Sequence, residues 1–415
     1  MKPHHGTSRH GKHTAGRGSA IPRVIENQQD LEVLCGELAA RGRFALDTEF
    51  VRERTFFIQL GIIQVSAGDV EAVIDPQPLS SLAPLFELIA APEVEKIVHA
   101  GEQDFAVLYE AGGEAPRNVF DTQIAAALVG YGDQISYARL VAKVTGVQLD
   151  KLETLTDWTA RPLTEAQIDY SLEDVRYLSD VRHHLGERLE ALGRAGWERE
   201  EGSRLEADST YRAPEPREFY RRMKASGLSA VSLGVLREVA AWRERTARAR
   251  NLPRGWVLKD QSLLEIARRR PQSAKSLRQI RSLKPQQISK EGDAIVAAVR
   301  AGLAEPVKEE RPENPHLKMP DEVESTARLL EAWLYARAAE AEIAPSMLAT
   351  RVDLKTLAAA HYHSVAASIP LLEGWRRELV GQDLLDLLEG RKALKLDGRR
   401  GKLEAVDLDG DRRHS

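Results

Sequence analysis

The feature that most constrains the fold is a change of pattern within the first half of the chain. Three apolar, strand-like runs follow one another with short connections, at 44–50, 57–65 and 71–75. Such a series is typical of an antiparallel meander. Strand-like and helix-like segments then alternate as far as Asp121, which predicts a parallel extension of the same sheet. From Thr122 the pattern is helical, so this region predicts an α/β domain with a mixed sheet.

Prolines and charged residues separate two further regions, both of helical periodicity. One proline-containing linker lies at 211–216 and a second, denser one at 305–320. Each helical region begins with a helix that contains a tryptophan, Trp242 in the first and Trp333 in the second. The similar lengths and the matching tryptophans suggest a duplicated helical module.

Charge is distributed unevenly along the chain. Residues 215–302 contain 20 Lys and Arg against 8 Asp and Glu, although the whole chain has a net charge of −4. A basic module beside an acidic one is typical of a nucleic-acid-binding arm joined to an enzyme. The alternative is the solvated surface of an ordinary helical bundle.

Composition indicates a cytoplasmic protein without membrane spans. A single cysteine, Cys35, excludes an intramolecular disulfide and a cysteine-based zinc site, and it suits a reducing compartment. We interpret it as a core residue. No apolar run has the length that a membrane helix needs, and the polar N-terminus lacks the apolar stretch of a secretory signal. The four histidines near that end form either a metal-binding tract or, as we expect from the Gly, Ser and Lys around them, part of a disordered tail.

Asp47 and Glu49 lie at the end of the first predicted strand. Side chains two residues apart in a strand project from one face, so a rigid element holds both carboxylates together. Adjacent negative charges repel each other unless a cation lies between them, and oxygen ligands select a hard ion such as Mg²⁺ or Mn²⁺. An Asp-x-Glu pair is common by chance and indicates a site only together with other acidic residues.

Three more acidic residues occur where they can join this pair. Asp104 opens a helix just after an apolar strand. Asp174 follows Tyr170 by four residues in a helical segment, which places the phenol and the carboxylate on one helical face. Asp121 ends a short strand, where it is either a further site residue or the N-cap of the next helix.

Four carboxylates suffice to hold two divalent ions about 4 Å apart, the separation used for in-line attack at phosphorus. Such ions activate the attacking water and stabilise the leaving oxygen. The Tyr170 hydroxyl can form a hydrogen bond with that water. Because a phenol with a pKa near 10 is a poor base, we assign Tyr170 to positioning.

Motifs in this region occur in a fixed order: DTEFVRERT at 47–55, QLG at 59–61, HAGEQD at 99–104, FDTQ at 120–123, LDK at 149–151, DW at 157–158, RPLT at 161–164, and Tyr170 followed by DVRYL at 174–178. In order and spacing this set resembles the ribonuclease D family of DEDD exonucleases, in the subgroup with tyrosine in the third motif. The resemblance covers about residues 22–200. It implies a ribonuclease-H-like fold and stepwise removal of nucleotides from RNA 3′ ends, with release of 5′-monophosphates.

The same resemblance implies roles for five residues. In the family, two divalent ions, Mg²⁺ or Mn²⁺, are bound at the positions that match Asp47, Glu49, Asp104 and Asp174. The position that matches Tyr170 helps to place the water. None of the five positions departs from the family pattern.

Six other residues are candidates for RNA contacts. Phe50 either wedges against the terminal bases or packs in the core. Gln59 and His99 either contact the terminal ribose or phosphate, or make structural hydrogen bonds. We expect the path of the RNA strand to be lined, through charge and stacking, by Lys151, Trp158 and Arg161.

The C-terminal half resembles the helical HRDC module that ribonuclease D shares with certain helicases. The turn LPRGWVL at 252–258 and Trp242 carry this resemblance, and the second helical region looks like a diverged copy. The implied role is nucleic-acid binding, with phosphates neutralised by a patch made of Arg248, Arg250, Arg254, Lys259, Arg268, Arg269, Arg270, Lys275, Arg278, Arg281 and Lys284.

The expected organisation is a disordered tail (1–21), an exonuclease domain (22–210), an all-helical HRDC-like module (215–302), a linker (303–320), a second all-helical HRDC-like module (321–395) and a charged, frayed tail (396–415). The leading hypothesis is an exoribonuclease that acts on single-stranded 3′ ends of RNA, including structured RNA such as precursor tRNA, without an obligate protein partner. The metal site alone does not distinguish sugars, so a DNA exonuclease is the second hypothesis. A catalytically silent nucleic-acid-binding protein is the third.

Overall fold

The structure is a computed structural model that describes residues 23–149, 157–307, 320–398 and 401–408. The expected N-terminal tail, most of the second linker and the candidate residue Lys151 lie outside these ranges. In the described part of the chain, no helix combines the length and the apolar character needed to cross a membrane.

The first half of the chain is an α/β domain. Its strands are β1 (Val24–Ile25), β2 (Arg43–Val51), β3 (Gln59–Ala67), β4 (Val70–Ile74), β5 (Glu95–Val98) and β6 (Val119–Asp121). Its helices are α1 (Gln28–Arg41), α2 (Ala83–Ala90), α3 (Glu102–Gly112), α4 (Thr122–Leu128), α5 (Tyr137–Thr145), α6 (Glu165–Arg176), α7 (Leu178–Ala191), α8 (Ala195–Gly202) and α9 (Asp208–Tyr211).

These strands form one mixed sheet in the order β1-β4-β3-β2-β5-β6. Strands β2, β3 and β4 pair antiparallel, which confirms the predicted meander. Strands β5 and β6 extend the sheet parallel to β2, also as predicted. The short β1 pairs parallel with β4 and was not predicted. Strand β2, which carries the first two candidate ligands, therefore lies inside the sheet.

Helices cover both faces of the sheet. Helices α1, α2 and α3 pack on one face, where they share a core with the large apolar residues of β2 and β3. Helix α6 lies across β2, β3 and β4 on the other face, with Ile168 and Leu172 against Ile62 and Val73. Helix α6 begins at a capping box in which Thr164 and Gln167 satisfy each other's backbone N–H groups. Strand β2 and helices α3 and α6 thus carry the four candidate acidic residues.

The second region is helical, as predicted. A 3₁₀ segment (Pro216–Arg222) precedes α10 (Ala230–Ala249), α11 (Arg254–Val257), α12 (Asp260–Arg269), α13 (Ala274–Leu277) and α14 (Pro285–Ala304). These helices enclose their own apolar core, centred on Val235, Val239 and Ile266.

The third region repeats the start of the second. It comprises α15 (Asp321–Glu340), α16 (Pro345–Leu348), α17 (Arg351–Tyr362), α18 (Gly374–Arg376) and α19 (Gln382–Leu388), with a 3₁₀ turn at Pro370–Leu372 and a π-helical turn at Arg377–Gly381. Helices α15, α16 and α17 each begin 91 residues after α10, α11 and α12. Trp333 likewise follows Trp242 by 91 residues, which supports the expected duplication.

The C-terminal end differs from the expected frayed tail. Strands β7 (Lys392–Leu396) and β8 (Leu403–Asp407) pair antiparallel, so the third region is not all-helical and the segment from 396 is not simply a tail. Leu394 of β7 and Leu403 and Ala405 of β8 pack against the apolar core of the third region, so one face of the hairpin is covered. The high charge of this segment concealed its strand character.

The third region shares a core with the α/β domain. Leu185 and Leu189 of α7 belong to the same apolar cluster as Leu330 and Leu334 of α15. A buried ion pair between Arg376 and Glu201 accompanies this packing. The indole of Trp375 also donates to Glu201, at 2.8 Å.

Candidate active site

Asp47 and Glu49 project from the face of β2 that α6 covers. They pair with Gln64 and Ile62 of β3, and Ile62 packs beneath α6. The register shifts directly after Glu49, where a bulge begins. Both acidic residues are partly exposed, so solvent reaches them at the point where the sheet pairing becomes irregular.

Asp104 lies in the first turn of α3 and is buried. Its carboxylate accepts a hydrogen bond from the backbone N–H of Thr48, at 3.2 Å, and another from the Thr48 hydroxyl. Because Thr48 stands between Asp47 and Glu49, these bonds tie α3 to the strand that carries the other two carboxylates.

Asp121 is the N-cap of α4 and also holds the turn before α3. Its carboxylate accepts from the backbone of Gln123 at the start of α4, at 2.8 Å. It also accepts from the backbone N–H groups of Ala100 and Gly101, both at 3.0 Å. Asp121 therefore fixes the turn that leads into α3 and contributes to the orientation of Asp104.

Tyr170 and Asp174 come from α6 and face the same region. The Tyr170 ring stacks on Trp158, with 6.3 Å between ring centroids and 21° between planes. Gly61 of β3 makes this arrangement possible. A Cβ atom at position 61 would lie 2.7 Å from Cβ of Trp158 and 2.9 Å from the backbone oxygen of Glu49. The glycine is needed because two chain segments meet there.

Burial, and after it the charges of nearby acidic side chains, raises the pKa values of all four carboxylates. Burial, followed by the charges of the three other carboxylates, raises the pKa of Asp47 well above its usual range. Burial, then Asp174 and Asp104, raises the pKa of Glu49 to about 7. The pKa of Asp174 also rises to about 7, through burial, Glu173 and Asp104. Burial likewise raises the pKa of Asp104. The fold thus gathers negative charge that water alone does not screen.

Tyr170 belongs to the same electrostatic cluster. Burial, followed by the charges of Asp174, Glu49 and Asp47, raises the pKa of its phenol. The hydroxyl therefore stays protonated at neutral pH and is available as a hydrogen-bond donor beside the carboxylates.

This donor set fits divalent cations. Clustered carboxylate oxygens are the ligands that hard ions such as Mg²⁺ and Mn²⁺ prefer, and a cation removes the repulsion that raises the pKa values. Within the described ranges, no three His, Cys, Asp or Glu side chains already stand around a common metal position.

The weaker candidates have varied environments. Phe50 is partly exposed at the bulge after Glu49, and Gln59 is an exposed residue at the start of β3. Trp158 is buried against Tyr170. Both ring nitrogens of His99 have protein partners, the Thr122 hydroxyl at 2.9 Å and the Ile135 carbonyl at 3.1 Å.

Arg161 joins three segments of the protein. Its guanidinium donates to the Asp75 carboxylate at 2.7 Å and to the backbone oxygens of Gly61 and Trp158, both at 2.9 Å. The side chains of Arg161 and His99 thus both have structural hydrogen bonds within the protein. Asp75, Thr48 and Gly61 support the site and were not among the candidates. Of the three, only the glycine inside a strand carried a recognisable signal.

Comparison with known proteins identifies two domains. The model of the 3′–5′ exonuclease family matches residues 22–190, and that of the HRDC domain matches residues 232–299. The ribonuclease D of Granulibacter bethesdensis is 38% identical over 391 residues, which cover 92% of this chain and 96% of that protein. That of Gluconacetobacter diazotrophicus is also 38% identical and covers 94% and 98%.

A solved structure agrees with these sequence matches. Escherichia coli RNase D, described as an exoribonuclease involved in structured RNA processing, superimposes with a TM-score of 0.78 at 32% identity. The match covers 88% of this chain and 98% of that one. The similarity extends along nearly the whole of both chains, and in this chain the exonuclease domain is followed by an HRDC domain. The chain therefore belongs to the ribonuclease D family and is a 3′–5′ exoribonuclease.

Proposed function

We propose that Asp47, Glu49, Asp104 and Asp174 together bind two divalent ions, Mg²⁺ or Mn²⁺, for the hydrolysis of the terminal phosphodiester. The observation that carries the proposal is that one strand and two helices bring these carboxylates together, where burial, and after it the nearby acidic charges, raises the pKa of both Glu49 and Asp174 to about 7. Bound ions of this kind activate the attacking water and stabilise the leaving oxygen. The product is a 5′-monophosphate.

The protein's own residues then supply orientation. The protonated Tyr170 hydroxyl forms a hydrogen bond with the attacking water, and stacking on Trp158 holds the ring in place. Thr48 keeps the Asp104 carboxylate turned towards β2. Phe50 and Gln59, both at the rim, remain candidates for contact with the terminal nucleotide.

We propose single-stranded 3′ ends of structured RNA as the substrate class, with precursor tRNA as the natural example. The relative from E. coli, which acts in structured RNA processing, supports this choice. A cytoplasmic location fits the single cysteine, Cys35, which is buried in the apolar core.

We also propose that part of the basic patch binds RNA phosphates. Three of its arginines are engaged in ion pairs, Arg250 with Glu291, Arg254 with Glu244 and Arg269 with Glu265. Among the described residues, no such pair involves the other members of the patch, which are Arg248, Lys259, Arg268, Arg270, Lys275, Arg278, Arg281 and Lys284.

Two of these unpaired arginines share one surface depression. Arg268 and Arg281 line it together with Gln261, Ser282, Arg269 and Glu265, which pairs with Arg269, and its volume is about 560 Å³. Cations without an acidic partner in a concave site attract a phosphate more strongly than cations already neutralised by glutamate. We therefore assign phosphate binding to this depression.

An oligonucleotide comparison tests the reaction and its sugar preference. Single-stranded RNA and DNA of one sequence would each be incubated with Mg²⁺, with Mn²⁺ or with EDTA, and the products separated by chromatography. We expect 5′-mononucleotides from RNA with either metal and none with EDTA. Faster release from DNA would reject RNA as the substrate, and release in EDTA would reject the divalent metals.

A further inference from the structure

The loop between β2 and β3, residues 52–58, leaves the strand that carries Asp47 and Glu49. Within the described structure, the hydrogen bond that its side chains make inside the loop runs from the Thr55 hydroxyl to the Phe57 carbonyl. Arg52 and Arg54 are exposed there without an ion pair to any described residue. The loop therefore presents two exposed cations at the rim of the active site, neither of them in an ion pair with another described residue.

The HRDC domain supplies the missing anchor. Oδ1 of Asn251, in the turn after α10, accepts hydrogen bonds from the backbone N–H groups of Phe56 at 3.0 Å and Phe57 at 3.1 Å. One side chain thus satisfies two successive amides of a loop nearly 200 residues earlier in the chain.

Two arginines reinforce this contact. The Arg254 guanidinium lies over the Phe56 ring, 4.6 Å from its centroid, and that of Arg248 lies 5.8 Å from the centroid of Phe57. Glu244 holds Arg254 in place with two hydrogen bonds of 2.5 and 2.6 Å. Cation–π contacts of this kind favour one orientation of the loop over others.

The charge of Arg54 in the loop also acts on the segment that supports Tyr170. Hydrogen bonds from Thr159, and to a smaller extent the charge of Arg54, hold the pKa of Asp157 below its usual range. Asp157 directly precedes Trp158, on which the Tyr170 ring stacks. The loop thus extends from the HRDC contact to the immediate surroundings of the catalytic residues.

Helix termination alone does not explain Asn251. Its φ of +49° belongs to the left-handed region, and asparagine and glycine are the residues that commonly end a helix there. The backbone bonds of this turn, from Asn251 N to Arg248 O and from Leu252 N to Ala247 O, need no side chain. Glycine would end α10 equally well, whereas the two bonds to the loop require a side-chain acceptor.

We propose that Asn251 is a positioning residue through which the HRDC domain fixes the β2–β3 loop, so that Arg52 and Arg54 meet the RNA phosphates next to the scissile one. The proposal rests on the proposed active site and adds a part from the second domain to it. The HRDC domain then does more than retain RNA, because it also forms part of the active-site rim.

Three variants of the full-length enzyme test this role. Asn251→Gly keeps the helix end and removes the acceptor. Asn251→Asp keeps the helix end and the side-chain acceptor, since aspartate also tolerates the left-handed region. Asn251→Ala removes the acceptor and strains the backbone. Amide hydrogen exchange of the peptide 52–58, the melting temperature, and kcat and KM on single-stranded RNA would be measured for each.

We expect Asn251→Gly to increase exchange at Phe56 and Phe57 at least tenfold and to lower kcat/KM about tenfold, with an unchanged melting temperature. Asn251→Asp should restore both quantities to within about twofold of wild type. Wild-type exchange or wild-type turnover in Asn251→Gly would overturn the proposal, and so would equal losses in Asn251→Asp. Asp47→Asn separates this outcome from failure of the active site, because it should abolish turnover while the loop remains protected.

Discussion

At the scale of single residues, crowded negative charge dominates the active site. Asp47, Glu49, Asp104 and Asp174 all have raised pKa values, and burial is the largest cause for each. A raised carboxyl pKa means that the folded protein binds protons more tightly than the unfolded chain does. The site is therefore strained when its carboxylates are ionised without a cation.

This strain predicts a pH dependence of stability in the absence of metal. Between about pH 4 and pH 7 the folded state binds more protons than the unfolded chain. The contribution of these groups to the free energy of unfolding is therefore highest below pH 4, and it decreases as the pH rises through 7. The melting temperature in EDTA should decrease from pH 5.5 to pH 8 less in Asp174→Asn than in wild type. Mn²⁺ should restore more stability at pH 8 than at pH 5.5. Equal pH dependence in the two proteins would contradict the assignment.

Tyr170 gives a second prediction at this scale. Tyr170→Phe keeps the ring that stacks on Trp158 and removes the hydroxyl that orients water. We expect kcat to decrease on the order of 10²-fold with little change in RNA affinity. Tyr131→Phe is a matched control, because its hydroxyl bonds to His184 and lies outside the acidic cluster. Near-wild-type turnover in Tyr170→Phe would exclude the residue from the mechanism.

The residues that sequence could identify are those whose role follows from a short spacing. Asp47 and Glu49 share a strand face, and Tyr170 and Asp174 share a helix face, so local periodicity predicts each pair. Arg161 is different. Its partner Asp75 lies 86 positions earlier in the chain, and only the fold determines that the two meet.

At the scale of elements, the site depends on how closely β3 approaches the segment before α6. Position 61 has no room for a side chain between the Trp158 backbone and Glu49. Strand β3, Trp158 and α6 are consequently packed as one unit, and displacement of any of them moves Tyr170.

Gly61→Ala tests this packing. The added methyl group would lie 2.7 Å from Cβ of Trp158, so the tryptophan must move and Tyr170 with it. We expect kcat to decrease about tenfold or more, since small misplacements of catalytic groups have effects of up to about 10²-fold, together with a lower melting temperature. Gly36→Ala in α1 is the control, because no atom lies within 4 Å of its new methyl group. Unchanged kcat in Gly61→Ala would show that the contact does not position Tyr170.

Elements were predictable where a repeating apolar pattern extended over several residues. The meander β2-β3-β4 and the strands β5 and β6 were found in this way. Strand β1 has only two residues, too few for any pattern, and it forms because β4 offers a free edge. The β7–β8 hairpin was missed because lysine and acidic side chains occupy its exposed face.

At the scale of the whole molecule, the third region is bound to the exonuclease domain by more than a linker. Leu185 of α7 and Leu330 of α15 lie in one apolar cluster, and Glu201 pairs with the buried Arg376. Removal of one partner of a buried ion pair typically costs about 3–5 kcal/mol. Deletion of the C-terminal regions would therefore destabilise the catalytic domain, and point substitutions are the better probes of RNA binding.

The proposed phosphate site predicts a change in salt dependence. Each lost phosphate contact should reduce the slope of log K against log salt by about 0.7 for single-stranded RNA. Arg268→Ala/Arg281→Ala should thus lower the slope by about 1.4 without changing kcat. Arg188→Ala/Arg212→Ala removes the same charge from exposed residues outside the HRDC domain and serves as the control. Equal slopes in the two double variants would contradict the assignment.

The most direct test of the central claim is a time course of 5′-labelled single-stranded RNA with a free 3′ hydroxyl, comparing wild type with Asp47→Asn. We expect a ladder that shortens from the 3′ end in Mg²⁺ or Mn²⁺, no shortening in EDTA, and no shortening by the folded variant under any condition. Shortening by Asp47→Asn at the wild-type rate would contradict the assigned metal site. Retention of full-length RNA by the wild-type enzyme with both metals, although the RNA is bound, would contradict catalysis itself.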